Sequence, residues 1–300
     1  ALQRVAAQRE DVLDALECDE DLLFPADTRF VDVGDVVERI ALRTVEDRVL
    51  SSDRPIFLHA DGGVGKTVFI QSLATHLADK FETVVFDCFG GGAYRYEGQA
   101  RHLPRVGLLQ IVNELATRGL CDPLLPTDSD QQGLIHAARK RLEQASRTAK
   151  DQSSQQGVLI ILDAADNAQI EADARNELAF PKLLLSSLSA DPIDGVKLLL
   201  TARPHRMDGV IGRSQVERLA LEPFTDEETR IFLETRRENI TDLEFSTAIA
   251  RSQGNARVLE YLVESWDANV SGDPPQTQIS VEELIAQKCE KIFRDLDTAG

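Results

Sequence analysis

Residues 60–67 read ADGGVGKT, a spacing of glycine, lysine and threonine that suits the holding of a polyphosphate. Gly62, Gly63 and Gly65 permit backbone torsions and close approaches that side chains would block. The amides of Asp61, Gly62, Gly63, Val64, Gly65, Lys66, Thr67 and Val68 then form one continuous cradle whose N–H groups can turn toward phosphate oxygens. Lys66 is placed to reach β- and γ-phosphates, and the Thr67 hydroxyl to ligate Mg²⁺. A helix starting at Thr67 adds the positive end of its dipole. Ala60 stands where the strict pattern has glycine. Such a string arises by chance in on the order of a few per cent of chains of this length, and a strand before it with a helix after it lowers that figure.

Two further stretches carry complementary chemistry. VLIILDAAD (158–166) is an apolar run ending in Asp163, the form of a strand-end carboxylate that holds Mg²⁺ through water. Asp166, three positions on, could orient or activate an attacking water, or simply cap the next helix. KLLLTARPHR (197–206) ends a strand at Thr201 and presents Arg203, whose planar fork pairs with phosphate oxygens and could sense a γ-phosphate. Vigorous ATPases often carry a glutamate directly after the strand-end aspartate. Ala164 occupies that place, which favours slow hydrolysis and a holding role.

These groups need a scaffold that brings several strand ends together. Short apolar runs at 55–59, 83–89, 157–163, 196–202 and 216–221 read as strands. Helical periodicity falls at 2–17, 35–50 (with Asp35 as its cap), 67–78, 105–118, 131–149 and 170–189, the last interrupted at Pro181. Alternation of strand and helix predicts an α/β fold: a mostly parallel P-loop NTPase sheet covered by helices. After residue 221 the strands cease, and helices are expected at 225–236, 241–251, 255–267 and 280–296, with a linker-like break at 271–278. The expected domains are a helical preface or linker over 1–50, an α/β P-loop domain over 51–221, and a small all-helical domain with the start of the next segment over 222–300.

Composition narrows the setting. Net charge is −18, with −7 over residues 1–50, −2 over 51–220 and −9 over 221–300. Nothing resembles the basic footprint of a nucleic-acid binder, and the acidic flanks read as solvated helix faces. No apolar run approaches the roughly 20 residues of a membrane span. The N-terminal 17 residues are charged throughout, so cytoplasmic residence is expected. Cys18, Cys88, Cys121 and Cys289 are scattered without metal spacing, and the five histidines form no ligand pattern. The chain lacks an initiator Met and starts inside a helical pattern, which predicts a piece of a longer protein.

At ADGGVGKT, LDAAD and TARP the sequence resembles the STAND NTPases, the signal-transduction ATPases with numerous domains. The stretches VVFDCFGGGAYRYEG (84–98) and LPRVGLLQIVNELA (103–116) look most like the bacterial antiviral, NACHT-like members. The resemblance implies a central ATP/ADP-binding, Mg²⁺-dependent switch that is ADP-bound at rest. With ATP bound it assembles into a homo-oligomer. It implies effector and sensor domains in the same full-length chain, a pathogen-derived protein trigger and a role in antiphage defence. The family's helical domain often bears a Gly-x-Pro motif against the nucleotide base. QGNARVLEYL (253–262) matches in place, so Gly254 and Asn255 are base-contact candidates, although Ala256 replaces the proline. RFVDVGDVVERI (29–40) resembles the segment that lies along adenine, which makes Val31 an adenine neighbour or a mere linker residue. Gly90, Gly91 and Gly92 with Tyr94 and Arg95 could supply a second phosphate contact, a protomer contact, or only a loop.

Three rival readings share the P-loop. An AAA+-type motor or loader would need brisk turnover and a basic channel, which Ala164 and the near-neutral centre oppose. A STAND transcription regulator would need a basic DNA-binding helix pair, and none is visible. A small-molecule kinase fits poorly with Arg203 and the trailing helices.

Overall fold

The computed structural model describes residues 19–28, 30, 36–95, 100–126, 130–153 and 155–268. Val31 and Tyr96 therefore lie outside the described residues, as do the expected helices at 2–17 and 280–296, the expected cap Asp35 and the break at 271–278. In chain order the elements are α1 (Glu20–Leu23), α2 (Ala41–Ser51), β1 (Ile56–His59), α3 (Lys66–His76), β2 (Glu82–Asp87), α4 (Pro104–Thr117) and α5 (Gln131–Ser153). There follow β3 (Val158–Asp163), α6 (Ala165–Arg175), α7 (Phe180–Ala190), β4 (Val196–Ala202), α8 (Met207–Ile211), β5 (Glu217–Ala220), α9 (Asp226–Arg236), α10 (Asp242–Ser252) and α11 (Ala256–Ala268).

The described residues group into two compact units. The first takes Ala41–Ala60, Phe69–Ala220 and the described part of the first 32 residues. Its five strands form a parallel sheet in the order β2-β3-β4-β1-β5. All six residues of β3 are buried. Because successive side chains point to opposite faces, that burial requires cover on both sides of the sheet. The Val-Leu-Ile-Ile-Leu run supplies branched side chains suited to such a strand. Phe180, at the start of α7, packs edge-on against Phe86 of β2 with ring centroids 4.8 Å apart.

The β2 edge is guarded against strand addition. Three alternate carbonyls are taken by side chains: Thr83 O by Arg118, Val85 O by Thr28 and Asp87 O by Arg101. An edge whose acceptors are already used offers no template for another strand.

The second unit takes the described residues of 33–40, Asp61–Val68 and the described residues from Leu221 onward. Phe232, Leu233, Ala248, Leu259, Leu262 and Trp266 form its core, joined by Val37. Both Thr225 and Thr241 head reciprocal capping boxes, with Glu228 and Glu244 three residues later.

Several local expectations are corrected. The helix expected over 35–50 starts at Ala41, because the Ile40 N–H donates to the Glu228 carboxylate rather than to a turn of helix. The helix expected from 170 starts at Ala165, directly after β3. The stretch expected over 170–189 is broken next to Pro181, with the gap at 176–179; Pro181 itself sits in the first turn of α7, where its missing N–H costs no intrahelical bond. The short helix α8 was not anticipated.

Candidate functional site: a phosphate loop and a strand-end carboxylate cluster

The loop belongs to the second unit and is built by the residues flanking β1 and α3. Gly63 and Gly65 adopt φ of 82° and 94°, left-handed torsions that glycine takes at no steric cost. A Cβ on Gly63 would lie 2.5 Å from Asn255 Oδ1, so close approach also demands glycine there. Val64 between them is buried. Among the described residues no acceptor meets the N–H of Gly63, Val64 or Gly65. Such successive free amides in alternating torsions are the donor set that favours an anion. Lys66 opens α3 and its Nζ donates to the Asp61 carbonyl at 2.9 Å, so the ammonium folds across its own loop. Thr67 and Val68 follow in the first turn of that helix.

The same unit brings Gly254 and Asn255 to this loop. Gly254 turns at φ 75° against the Phe224 backbone. Asn255 Nδ2 donates to Gly62 O at 2.8 Å, while its Oδ1 accepts from the N–H groups of Arg257 and Val258 at the start of α11. The Arg257 N–H donates to Gly63 O at 3.0 Å, and the Arg257 side chain is exposed. Sequence reasoning passed over Arg257, although it stands two residues after Asn255.

Arg39 was missed altogether. It is buried at 7% exposure, with Nε 3.1 Å from Glu228 Oε1 and its two Nη groups on Val64 O and Glu222 O. Its guanidinium also lies 4.5 Å from the Phe224 ring centroid. Burial pulls the Arg39 pKa down, and the Glu228 carboxylate opposes that pull. For Glu228, burial would raise the pKa. The Thr225 and Ile40 N–H groups and Arg39 outweigh it and hold the carboxyl below its ordinary value.

The second cluster belongs to the first unit, at the carboxyl ends of its central strands. In register, Asp87 of β2 pairs with Asp163 of β3. The Thr201 hydroxyl donates to Asp163 Oδ1 at 2.5 Å and accepts from the Ala164 N–H at 2.8 Å. Ala164 sits at φ 53°, ψ 42°, a left-handed torsion that turns β3 straight into α6. That turn buries Asp166 in the first turn of α6, with Oδ2 3.6 Å from Arg206 and 4.0 Å from Arg203. No hydrogen-bond donor reaches this oxygen among the described residues. Both arginine side chains are partly exposed. The first unit thus gathers Asp163, Asp166 and Arg203, and adds Arg206 and the Thr201 hydroxyl, which the sequence did not single out.

The glycine stretch 90–92 leads to a different result. Tyr94 is buried and packs against Phe89, with centroids 5.7 Å apart, so its ring serves the interior of the fold.

A five-stranded parallel sheet with a buried strand-end aspartate in one unit, and a glycine loop opening a helix in the other, define a P-loop NTPase module. Residues 42–203 match the family model described as Nephrocystin 3, N-terminal, and the chain belongs to that family. Membership accords with the STAND-class resemblance of the sequence. No curated protein matches the chain. Among solved structures the fold is similar to a Walker-type ATPase of Pyrococcus abyssi, at 15% identity and TM-score 0.55, covering 92% of this chain and 79% of that one. It is similar to a STAND protein with a tetratricopeptide repeat sensor from Pyrococcus horikoshii, at 14% identity and TM-score 0.50. That match covers 88% of this chain but only 33% of the other, so the chain spans about a third of that protein. The Drosophila ORC bound to DNA gives 12% identity and TM-score 0.50, covering 92% of this chain and 73% of that one. These likenesses establish the fold. No helix among the described residues is long and apolar enough to cross a membrane.

Proposed function

We propose that the chain is an ATP-binding, slowly hydrolysing switch and oligomerisation module of a STAND signalling protein. ADP is held at rest, and ATP marks the assembled state. The observation that carries this reading is the run of unpartnered N–H groups at Gly63, Val64 and Gly65 at the start of α3. Three successive N–H groups without a protein acceptor at the start of a helix can be taken together by a polyphosphate.

In the loop, the amides of residues 61–68 would grip phosphate, Lys66 would neutralise the β- and γ-groups, and Thr67 would ligate Mg²⁺. At the strand ends, Asp163 would help hold Mg²⁺, Asp166 would orient the attacking water, and Arg203 would read the γ-phosphate. Mg²⁺ ordinarily takes one or two protein groups and fills its shell with phosphate oxygens and water. The donor set suits that habit. Asp163, steadied by the Thr201 hydroxyl, offers one carboxylate for such a shell. When bound, the ion supplies charge neutralisation for the transferring phosphoryl group.

Slow turnover is supported by Ala164. The position after Asp163 carries no carboxylate, and its left-handed torsion strains any side chain larger than glycine. Switching a two-state module from 1:99 to 99:1 takes about 5.5 kcal/mol of differential binding, and charged hydrogen bonds contribute about 1.5–3 kcal/mol each. Two such contacts to the γ-phosphate at the top of that range, or three near its middle, reach this figure.

The proposed organisation keeps residues 1–50 as a preface, 51–221 as the P-loop domain and 222–300 as the helical domain. Effector and sensor lie elsewhere in the full-length chain, the trigger is a pathogen-derived protein, and the setting is cytoplasmic antiphage defence. Sedimentation of the chain with Mg²⁺ and either ADP or a non-hydrolysable ATP analogue tests the switch. Larger assemblies with the analogue alone support it, and identical profiles contradict it.

A further inference from the structure

Three consecutive carbonyls of the loop are each held from outside. Gly62 O accepts from Asn255 Nδ2, Gly63 O from the Arg257 N–H and Val64 O from Arg39 Nη1. A trans peptide is planar, with its C=O and the following N–H pointing in opposite directions. Fixing these carbonyls therefore aims the N–H groups of Gly63, Val64 and Gly65 away from the three donors.

Arg39 is the least movable of those donors. Glu228 Oε1, Glu222 O and the Phe224 ring hold it on three further sides, and it is buried. Glu228 is fixed in turn, since its carboxylate closes the cap of α9 and accepts from Ile40 N–H. The chain of contacts runs from the α9 cap through Glu228 and Arg39 to Val64. A phosphate on the N–H side polarises each peptide and strengthens the bond its carbonyl accepts on the other side. Without the outer donors, a peptide is free to flip and present a carbonyl oxygen to the phosphate, which repels it.

We propose that Arg39, together with Asn255, is a positioning residue that holds the loop carbonyls turned outward, so that grip on phosphate and seating of this clasp are one equilibrium. The inference rests on the nucleotide-binding reading above and assigns it two positioning residues outside the phosphate loop.

The test compares the 300-residue chain with Arg39→Ala, Arg39→Lys and Asn255→Asp. Lys offers a point charge in place of the fork. Asn255→Asp keeps the oxygen that caps α11 but exchanges the donor to Gly62 for a negative charge, so its order parameters without nucleotide, rather than its Kd, report the clasp if Arg39→Ala does not fold. Thr241→Ala is the control: it removes the α10 cap and touches no loop carbonyl. Two quantities are read: the Kd for Mg²⁺-ADP by calorimetry, and amide order parameters at Gly63 and Gly65 without nucleotide. Arg39→Ala and Asn255→Asp are expected to weaken Mg²⁺-ADP roughly 10- to 100-fold. They are also expected to lower the order parameters from about 0.85 toward 0.6. Arg39→Lys restores only part of both, and Thr241→Ala lowers thermal stability while moving neither. Unchanged Kd and order parameters in the Arg39 and Asn255 variants overturn the inference alone. Equal losses in Thr241→Ala also overturn it, since they would reduce the clasp to general stability. A wild-type chain that binds no Mg²⁺-ADP overturns the nucleotide reading and this inference with it.

Discussion

Thr201 and Asp163 are 38 residues apart in sequence, yet the hydroxyl of one donates to the carboxylate of the other at 2.5 Å. Thr201 is fully buried on β4, and the same oxygen accepts the Ala164 N–H. Thr201→Val keeps the shape, removes the hydroxyl and takes one partner each from the partly buried Ala164 N–H and the buried Asp163 carboxylate. The expected loss is about 1–3 kcal/mol in urea unfolding, with Thr201→Ser restoring most of it. Equal stability of Val and wild type would show that neither bond matters. Asp163→Ala is expected to abolish turnover, and an unaltered hydrolysis rate would count against its role.

Ala164 gives a prediction of opposite sign. Its left-handed torsion costs an L-residue about 1–2 kcal/mol. Ala164→Gly is expected to stabilise the chain by about 1 kcal/mol, and the β-branched Ala164→Val to destabilise it. A Gly variant less stable than wild type would contradict the account of this turn.

Much of the scaffold was legible because buried parallel strands write themselves as apolar runs. VLIIL and KLLLTA could hardly be anything else, and the sheet followed from their alternation with helices. The turn at Ala164 was not legible, since no glycine marks it, and the start of α6 was accordingly missed. The break next to Pro181 was legible, although the proline opens the second helix rather than occupying the gap. The phosphate loop could be read because its chemistry is local. Arg39 could not, because its ion-pair partner Glu228 lies 189 residues away and VVERIAL looks like an ordinary amphipathic helix. Arg206 and Thr201 were hidden for the same reason, as their meaning depends on what stands opposite them in the fold.

Glu228 predicts a pH dependence. Burial alone would raise its pKa, but the Thr225 and Ile40 N–H groups and Arg39 hold it below the ordinary value of 4.5. A depressed folded pKa means that its stabilisation is complete above the unfolded value and is lost as pH falls through the folded one. Thermal midpoints measured from about pH 6 down to about pH 3 should fall for wild type. The fall should be shallower for Glu228→Gln, with Glu244, held low by Thr241 and Arg237 against its burial, and Asp194, held low by Lys150, contributing to what remains. Curves for wild type and Glu228→Gln that run parallel throughout would contradict it.

The two described cysteines should be inert in the native state. Burial, then the Asp87 and Asp163 carboxylates, push the Cys88 thiol well up, and burial pushes Cys121 up to about 11. Iodoacetamide near pH 8 should leave both unmodified until denaturant is added, as read by peptide mass mapping, since only the thiolate attacks. Labelling of either within minutes under native conditions would contradict their burial.

The central claim, that the N–H groups of Gly63, Val64 and Gly65 together with Lys66 grip a polyphosphate, is tested most directly by calorimetric titration of the chain with ATP and Mg²⁺. Saturable one-to-one binding by wild type, abolished in Lys66→Ala, is the predicted result. No heat of binding for wild type, or an affinity unchanged in Lys66→Ala, would contradict it.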